Sequence, residues 1–435
     1  MRIKLKLLTA AVVGVSAALP SLAQESLEVV PENGYGAHLK ATITQTDNAR
    51  KLEETLIEER QDELEGGFFA NYENSLIRFD AEYDSRGTNY NEDSQENRNI
   101  LQGHTDLRIG KDSDFADLLL SQSQRAQYVS PDDAALDENL DDRTIWSATP
   151  TLRAHLGKVD SLALQGTYSM VEYRTSELRN SDRVGGSVYW HRRISKRSSF
   201  RVAAGADSVE YPNGQLDDYD KHYATFSYTA EARNLRYTLL AGMNQATFED
   251  GGDDYEAPVL QINVVYDNGP QKLTFHASQD VTDSSLGNGN EDDVNPIPGN
   301  DGVGIDQMER QQVGLTWDTQ SLCVRCNLSA FVQFRDDKYR RDKEGDNRET
   351  SAGLTLGYNF TAQTSTEVRY LFQDQIYADD NRPGFTRDQL NLSFQYEFSK
   401  AISGSLFYRF ERAQGDVGSS EYEQNNVGVS VSYTI

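Results

Sequence analysis

Apolar and polar residues alternate with a period of two along most of the chain. Near the C-terminus, Val427, Val429, Val431, Tyr433 and Ile435 interleave with Asn426, Gly428, Ser430, Ser432 and Thr434. Leu390, Leu392, Phe394, Tyr396 and Phe398 alternate in the same way with Gln389, Asn391, Ser393, Gln395 and Glu397. Successive side chains of a strand point to opposite faces, so each such segment has one apolar, aromatic face and one small, polar face. The segments run about 11–15 residues, longer than an ordinary globular strand and long enough to cross a bilayer at a tilt.

The connections between segments alternate between short and long. Short ones fall near Asn74-Ser75, Lys111–Asp114, Gly157–Asp160, Ser195–Ser198, Arg233-Asn234, Asn268–Pro270, Thr319–Leu322, Ala362–Ser365 and Ser399–Ile402. The long ones are acidic and rich in Gly and Asn, from Ala49–Gln61 through Thr282–Val303 to Glu411–Glu421. Aromatic residues gather at segment ends: Phe68 and Tyr72, Phe79 and Tyr83, Tyr189 and Trp190, Tyr223, Phe226 and Tyr228, and Phe407, Tyr408 and Phe410. Together these features predict an all-β transmembrane antiparallel barrel of about 20 strands (range 18–22), with short periplasmic turns, long extracellular loops and aromatic girdles. Closure follows from elementary chemistry. Backbone N–H and C=O groups inside hydrocarbon need partners, and strands supply them only in a sheet without edges.

Composition sharpens this picture. The 435 residues are only 37% hydrophobic, yet include 23 Tyr and 17 Phe, as expected when half of every strand faces water. No apolar run of about eighteen residues occurs beyond the first two dozen positions, which excludes a helical membrane protein. The net charge of −27 argues against a nucleic-acid partner, whose phosphates need clustered Lys and Arg. At the N-terminus, Arg2, Lys4 and Lys6 precede the apolar run Leu7–Leu19 and the small-residue end Ser21-Leu22-Ala23, the pattern of a secretory signal peptide. Residues 1–23 are therefore read as the signal peptide, 24–34 as a short periplasmic leader and 35–435 as the barrel. The expected location is the outer membrane of a Gram-negative cell, in contact with lipid and lipopolysaccharide.

The polar register places mixed charge on the inward face. The candidate lumen-lining residues are Asp106, Arg108, Arg153, Arg183, Arg201, Asp207, Arg236, Glu367, Arg369, Glu397 and Arg409, with Asp80, Glu82, Lys272, Asp280 and Glu411 beside them. Along the sequence the signs alternate and no one-sided ladder stands out. Such charges either select a hydrophilic solute or pair across strands to hold a wet lumen open. Twenty tilted strands enclose a cylinder roughly 40 Å across, too wide for side chains to fill. The longest connection, Thr282–Val303, is the obvious candidate for a constriction, and it reads equally well as a surface loop.

Candidate chemistry is sparse. Cys323 and Cys326 are the only cysteines, and in an oxidising compartment they form a candidate disulfide across a tight turn. Without a βαβ pattern around them, redox catalysis is not expected. Acidic loop clusters, Asp250, Asp253, Asp254 and Glu256, then Glu291, Asp292, Asp293 and Asp301, offer oxygen ligands for Ca²⁺ but lack EF-hand spacing, and a solvated acidic surface is the commoner reading. His104 with Asp106, and His276 with Ser278 and Asp280, share strand faces in the manner of hydrolytic groups. No G-x-S-x-G, H-E-x-x-H or phosphate loop accompanies them, so no enzyme, cofactor or metal centre is predicted.

The two ends of the barrel region carry a resemblance. Thr44-Gln45-Thr46-Asp47-Asn48 looks like the "T-x-T-D-N" start of exosortase (PEP-CTERM system)-associated outer-membrane proteins, which sit within the β-barrel porin family of exopolysaccharide loci. The ending Glu423-Gln424-Asn425-Asn426-Val427-Gly428-Val429-Ser430-Val431-Ser432-Tyr433 is similar to their closing "E-N-x-V-x-L-G-x-S-Y". The resemblance implies an outer-membrane barrel tied to exopolysaccharide or surface-protein export. It carries over no catalytic residues. The expected function is a porin-like channel for hydrophilic solutes, with a closed barrel serving as surface scaffold or attachment protein as the alternative.

Overall fold

A computed structural model describes residues 33–53, 56–111, 113–128, 136–213, 218–248, 255–283, 307–340, 343–379, 384–415 and 421–435. The predicted signal peptide, nearly all of the leader and most of the Thr282–Val303 connection lie outside the described residues.

Twenty strands follow one another in chain order: β1 Gly34–Thr46, β2 Glu59–Glu73, β3 Ile77–Tyr90, β4 Arg98–Ile109, β5 Ala116–Tyr128, β6 Leu140–His155, β7 Asp160–Tyr173, β8 Ser181–Arg193, β9 Ser198–Glu210, β10 Tyr219–Glu231, β11 Leu235–Phe248, β12 Tyr255–Asp267, β13 Gln271–Asp283, β14 Gln307–Thr319, β15 Cys326–Tyr339, β16 Asn347–Asn359, β17 Thr364–Tyr377, β18 Phe385–Glu397, β19 Ile402–Gly415 and β20 Tyr422–Thr434. Each pairs antiparallel with its sequence neighbours, and β1 pairs with β20 to close the barrel. The fold is that of an outer-membrane β-barrel. β1 and β2, the faintest segments in the sequence, are full strands, and β2 begins at Glu59, inside the predicted long connection.

The distribution of polarity is inside-out relative to a soluble protein. Leu39, Ile43, Leu64, Val188, Leu260, Leu315, Leu354, Leu406 and Val429 all stand on the outer surface, exposed. At the short-turn rim they give way to a belt of outward aromatics: Tyr228 with Tyr237, Trp190 with Phe200, Tyr358 with Phe360, and Tyr396 with Phe398 pack as ring pairs 4.8–5.9 Å apart. Amphipathic rings are suited to the headgroup level. Three residues counted into the girdles by sequence do not belong there. Tyr189, Tyr223 and Phe407 share the inward register with Ala163, Gly205 and Ser393. The reason is the pleat: in Tyr189-Trp190 and Phe407-Tyr408 two consecutive rings cannot both face lipid.

The seam joins the two motifs that carried the family resemblance. Asp47 accepts hydrogen bonds from the Asn425 backbone and side-chain amides, both at 2.7 Å. Asn48 donates to the Glu423 carbonyl at 2.9 Å, and Gln424 donates to the Asn48 carbonyl at 2.9 Å. Thr46 lies opposite Asn426. These short polar motifs thus fasten first strand to last just above the final pairs of the ladder, where strand pairing alone would fray. At the other end, Cys323 and Cys326 form a disulfide across the β14–β15 turn, with Cα atoms 5.1 Å apart and the Cys326 amide donating to the Cys323 carbonyl at 3.2 Å.

Candidate functional site: the inward face

The register puts every predicted lumen residue on the face that points inward. Asp106 and Arg108 on β4 lie opposite Asp80 and Arg78; Arg153 stands on β6, Arg183 on β8, and Arg201 and Asp207 on β9. Arg236 (β11) faces Glu231, Glu367 and Arg369 (β17) face Ser393 and Asn391, and Glu397 and Arg409 complete the set on β18 and β19. They do not converge on one point.

The face divides instead by height. At the end leading into the long connections, inward side chains are buried and matched. Arg310 grips Asp337 with two hydrogen bonds of 2.7 Å, Arg335 donates to Glu349 at 2.6 Å and lies 3.4 Å from Asp337, and Ser351 donates to the other Glu349 oxygen at 2.7 Å. Further round, Glu411 is held by Lys51 at 2.9 Å, Tyr422 at 2.5 Å and Arg387 at 3.8 Å. Lys51 belongs to the β1–β2 connection, which folds over β20 to reach β19. Burial pushes its ammonium pKa down from the ordinary value, against the pull of Glu411. Other connections lean the same way: Arg340, just after β15, sits 3.2 Å over the Phe248 ring of β11, and Tyr90 donates to Asp137 of the β5–β6 connection at 3.0 Å. Phe248 joins Val209, Tyr211, Tyr219 and Ala246 in a small apolar cluster inside this mouth.

Below this layer most inward charges are half-buried or exposed, the buried Asp117 being an exception, and here the reading of alternating signs needs correction. The wall formed by β2–β4 presents Glu63, Glu65, Glu73, Asp80, Glu82, Asp84 and Asp106 against Arg78, Arg86, Arg98 and Arg108. Strands β6–β9 present Arg153, Arg183, Arg193 and Arg201 against Asp207. Signs alternate along the sequence, but only inward positions count, and strand pairing sorts those into an acidic and a basic sector. Between the two, Asp117 on β5 binds both Arg108, at 3.4 Å, and Arg153. On the basic side Arg201 stacks 4.5 Å from the Tyr189 ring.

The histidine pairs form only in part as the spacing suggested. His104 hydrogen-bonds to Asp80 on β3 at 2.9 Å, not to Asp106. His276 lies 3.2 Å from Ser278, while Asp280 is engaged by Asn244 and lies 3.8 Å from Lys221. Of the acidic loop clusters only Glu256 is among the described residues. Sequence reasoning missed Lys51, Arg310, Arg335, Asp337, Glu349 and Arg387. Their inward parity was readable, but Lys51 meets Glu411 across 360 positions, which no local pattern signals. It also missed His38, Glu65 and Asp84, which three neighbouring strands bring together.

A closed β-barrel with an apolar outer band, an aromatic rim and a charged interior defines the class. Among solved structures, the chain is similar to OccAB4 of Acinetobacter baumannii, at 10% identity and TM-score 0.39 over 93% of this chain and 98% of that one. It is also similar to the ferric citrate transporter FecA in its unliganded form, at 10% identity and TM-score 0.46 over 93% and 79%. A third is OccK2 (OpdF) of Pseudomonas aeruginosa in complex with glucuronate, at 11% identity and TM-score 0.39 over 92% and 98%. No protein-family model and no curated protein matches the chain.

Proposed function

We propose that this protein is an outer-membrane pore for small hydrophilic solutes, entered through a mouth that the folded-in connections narrow. One observation carries the reading: below the matched layer, most inward charges are accessible and they are sorted by sign. A barrel needing only to hold itself open has no use for that sorting, because cross-strand pairing stabilises most when opposite charges adjoin. A permeating solute does have a use for it, since a charged wall orients and selects what passes. The residues proposed to carry selectivity are Asp106, Arg108, Arg153, Arg183, Arg201 and Asp207, with Arg236, Glu367, Arg369, Glu397 and Arg409 lining the remaining wall. In this reading outer-membrane lipid and lipopolysaccharide surround the barrel, and the resemblance of its two ends favours a role beside exopolysaccharide or surface-protein export, with an oligosaccharide as the cargo to test.

The second reading, a closed barrel acting as a surface scaffold, is favoured by the buried network at the mouth. Single-channel recording in a planar bilayer separates the two. Stable ohmic steps, blocked by added oligosaccharide, are the expected result for the pore. Silent bilayers containing protein that migrates as a folded, heat-modifiable species would overturn it in favour of the scaffold.

A further inference from the structure

We propose that His38, Glu65 and Asp84 form a lumen-facing site for a borderline divalent cation of the zinc type. The three residues stand on β1, β2 and β3, and one donor atom from each lies within 4.8 Å of the others. His38 Nε2 is 3.1 Å from Asp84 Oδ1 and 3.6 Å from Glu65 Oε1. Tetrahedral zinc, with bonds of about 2.0–2.2 Å, places neighbouring donors about 3.2–3.6 Å apart. The spacing needs little adjustment to accept the ion.

The cross-strand register explains the convergence. Gly67 lies opposite both His38 and Asp84. A Cβ at Gly67 would collide with the Asp84 carboxylate and the His38 ring, so the missing side chain on the middle strand is what lets the outer two lean together. Glu65 is aimed by Lys40, whose ammonium donates to Oε2 at 3.1 Å and leaves Oε1 toward the imidazole. Asp84 Oδ1 is shut off from water and accepts no hydrogen bond, although His38 Nε2 is within reach. A shielded carboxylate oxygen without a donor is costly, and a cation satisfies it. An imidazole with two carboxylates suits zinc better than Mg²⁺ or Ca²⁺, which favour oxygen alone. The side chains are a quarter to two-fifths exposed, so lumen water can complete the coordination and the site can exchange ions.

The test is equilibrium binding of Zn²⁺ and of Mg²⁺ to the refolded full chain in detergent, which reads the site whether or not the barrel conducts. Asp84→Asn keeps the side-chain shape and His38→Ala removes the nitrogen; each removes a ligand and should weaken the tightest Zn²⁺ binding by at least about tenfold, the lower end of what losing even an outer partner costs. His104→Ala, which breaks a histidine–carboxylate pair on the same wall, should leave that binding unchanged, and Mg²⁺ should not compete. Equal Zn²⁺ affinity in wild type and in folded Asp84→Asn would overturn the site. So would loss of binding in His104→Ala but not in His38→Ala.

Discussion

The two levels of the lumen use the same residue types for different ends. At the mouth, Asp337 is wholly buried between Arg310 and Arg335, and Glu411 between Lys51 and Arg387. Halfway down, Glu82 and Asp106 stand exposed to the lumen on a wall where acids outnumber bases. A matched, buried pair has almost no field outside itself and fixes geometry. An accessible, unbalanced wall contributes little to geometry and projects a field into water. The mouth is therefore read as a lattice and the mid-lumen as the surface that meets solute.

The sharpest way to break this comparison is to remove one partner at each level. Glu411→Ala leaves Lys51 and Arg387 buried without their counter-charge, a change expected to cost about 3–5 kcal/mol. Glu82→Ala, at an exposed inward position, should stay within about 0.5 kcal/mol. Urea titration of the folded, heat-modifiable species in detergent measures both. The pair Glu411→Gln with Lys51→Met should recover part of the loss, because Lys51 no longer needs a counter-charge while Arg387 still does. Equal losses for Glu411→Ala and Glu82→Ala would erase the distinction between lattice and surface.

A second pair of variants tests the inside–outside assignment on which the levels rest. Leu260 and Gln261 are neighbours on β12, the first exposed on the outer face and the second inward, opposite Leu240 and Ser278. Leu260→Arg should destabilise the barrel in lipid by about 2–4 kcal/mol, the range for a lipid-facing Arg at mid-bilayer. Gln261→Arg should change stability by less than about 0.5 kcal/mol. Refolding equilibria in lipid vesicles are the measurement, and a reversed order would mean that the register is inverted.

How much of this was legible in the sequence depended on the range of the interaction. Strand number and order followed from local patterns: the period of two in Leu390–Phe398 and the alternation of short and long connections are properties of a few dozen consecutive residues. The face of a single charge was equally local, which is why Arg153, Arg201 and Arg409 could be placed inward. The sorting of those charges into sectors was not, because it depends on which inward position of one strand meets which of the next. Aromatic pairs such as Tyr189-Trp190 misled for a related reason. Ring density marks a rim, whereas the pleat decides which ring reaches it. The folding of Lys51 onto Glu411 and the meeting of His38 with Asp84 are tertiary events with no local trace.

The smallest expected effect is also the one closest to function. If the acidic and basic sectors act on solute through their fields, neutralising them must shift ion selectivity in opposite directions. The triple change Arg153→Ala, Arg183→Ala and Arg201→Ala should move the reversal potential toward cation preference. Asp80→Asn, Glu82→Asn and Asp106→Asn together should move it toward anions. A two- to threefold change in permeability ratio corresponds to only about 0.4–0.7 kcal/mol, so the experiment needs a salt gradient at low ionic strength. At 0.1 M salt the screening length of about 10 Å is short against a lumen roughly 40 Å across, and ions passing down the middle would escape both walls. Near 0.01 M the screening length grows to about 30 Å and both sectors reach the axis. Opposite shifts that shrink as salt is raised are what separated charge produces. Shifts of the same sign, or none at low salt, would mean that the sorting by strand pairing has no effect on what the lumen admits, and the matched mouth alone would then set the barrel's permeability.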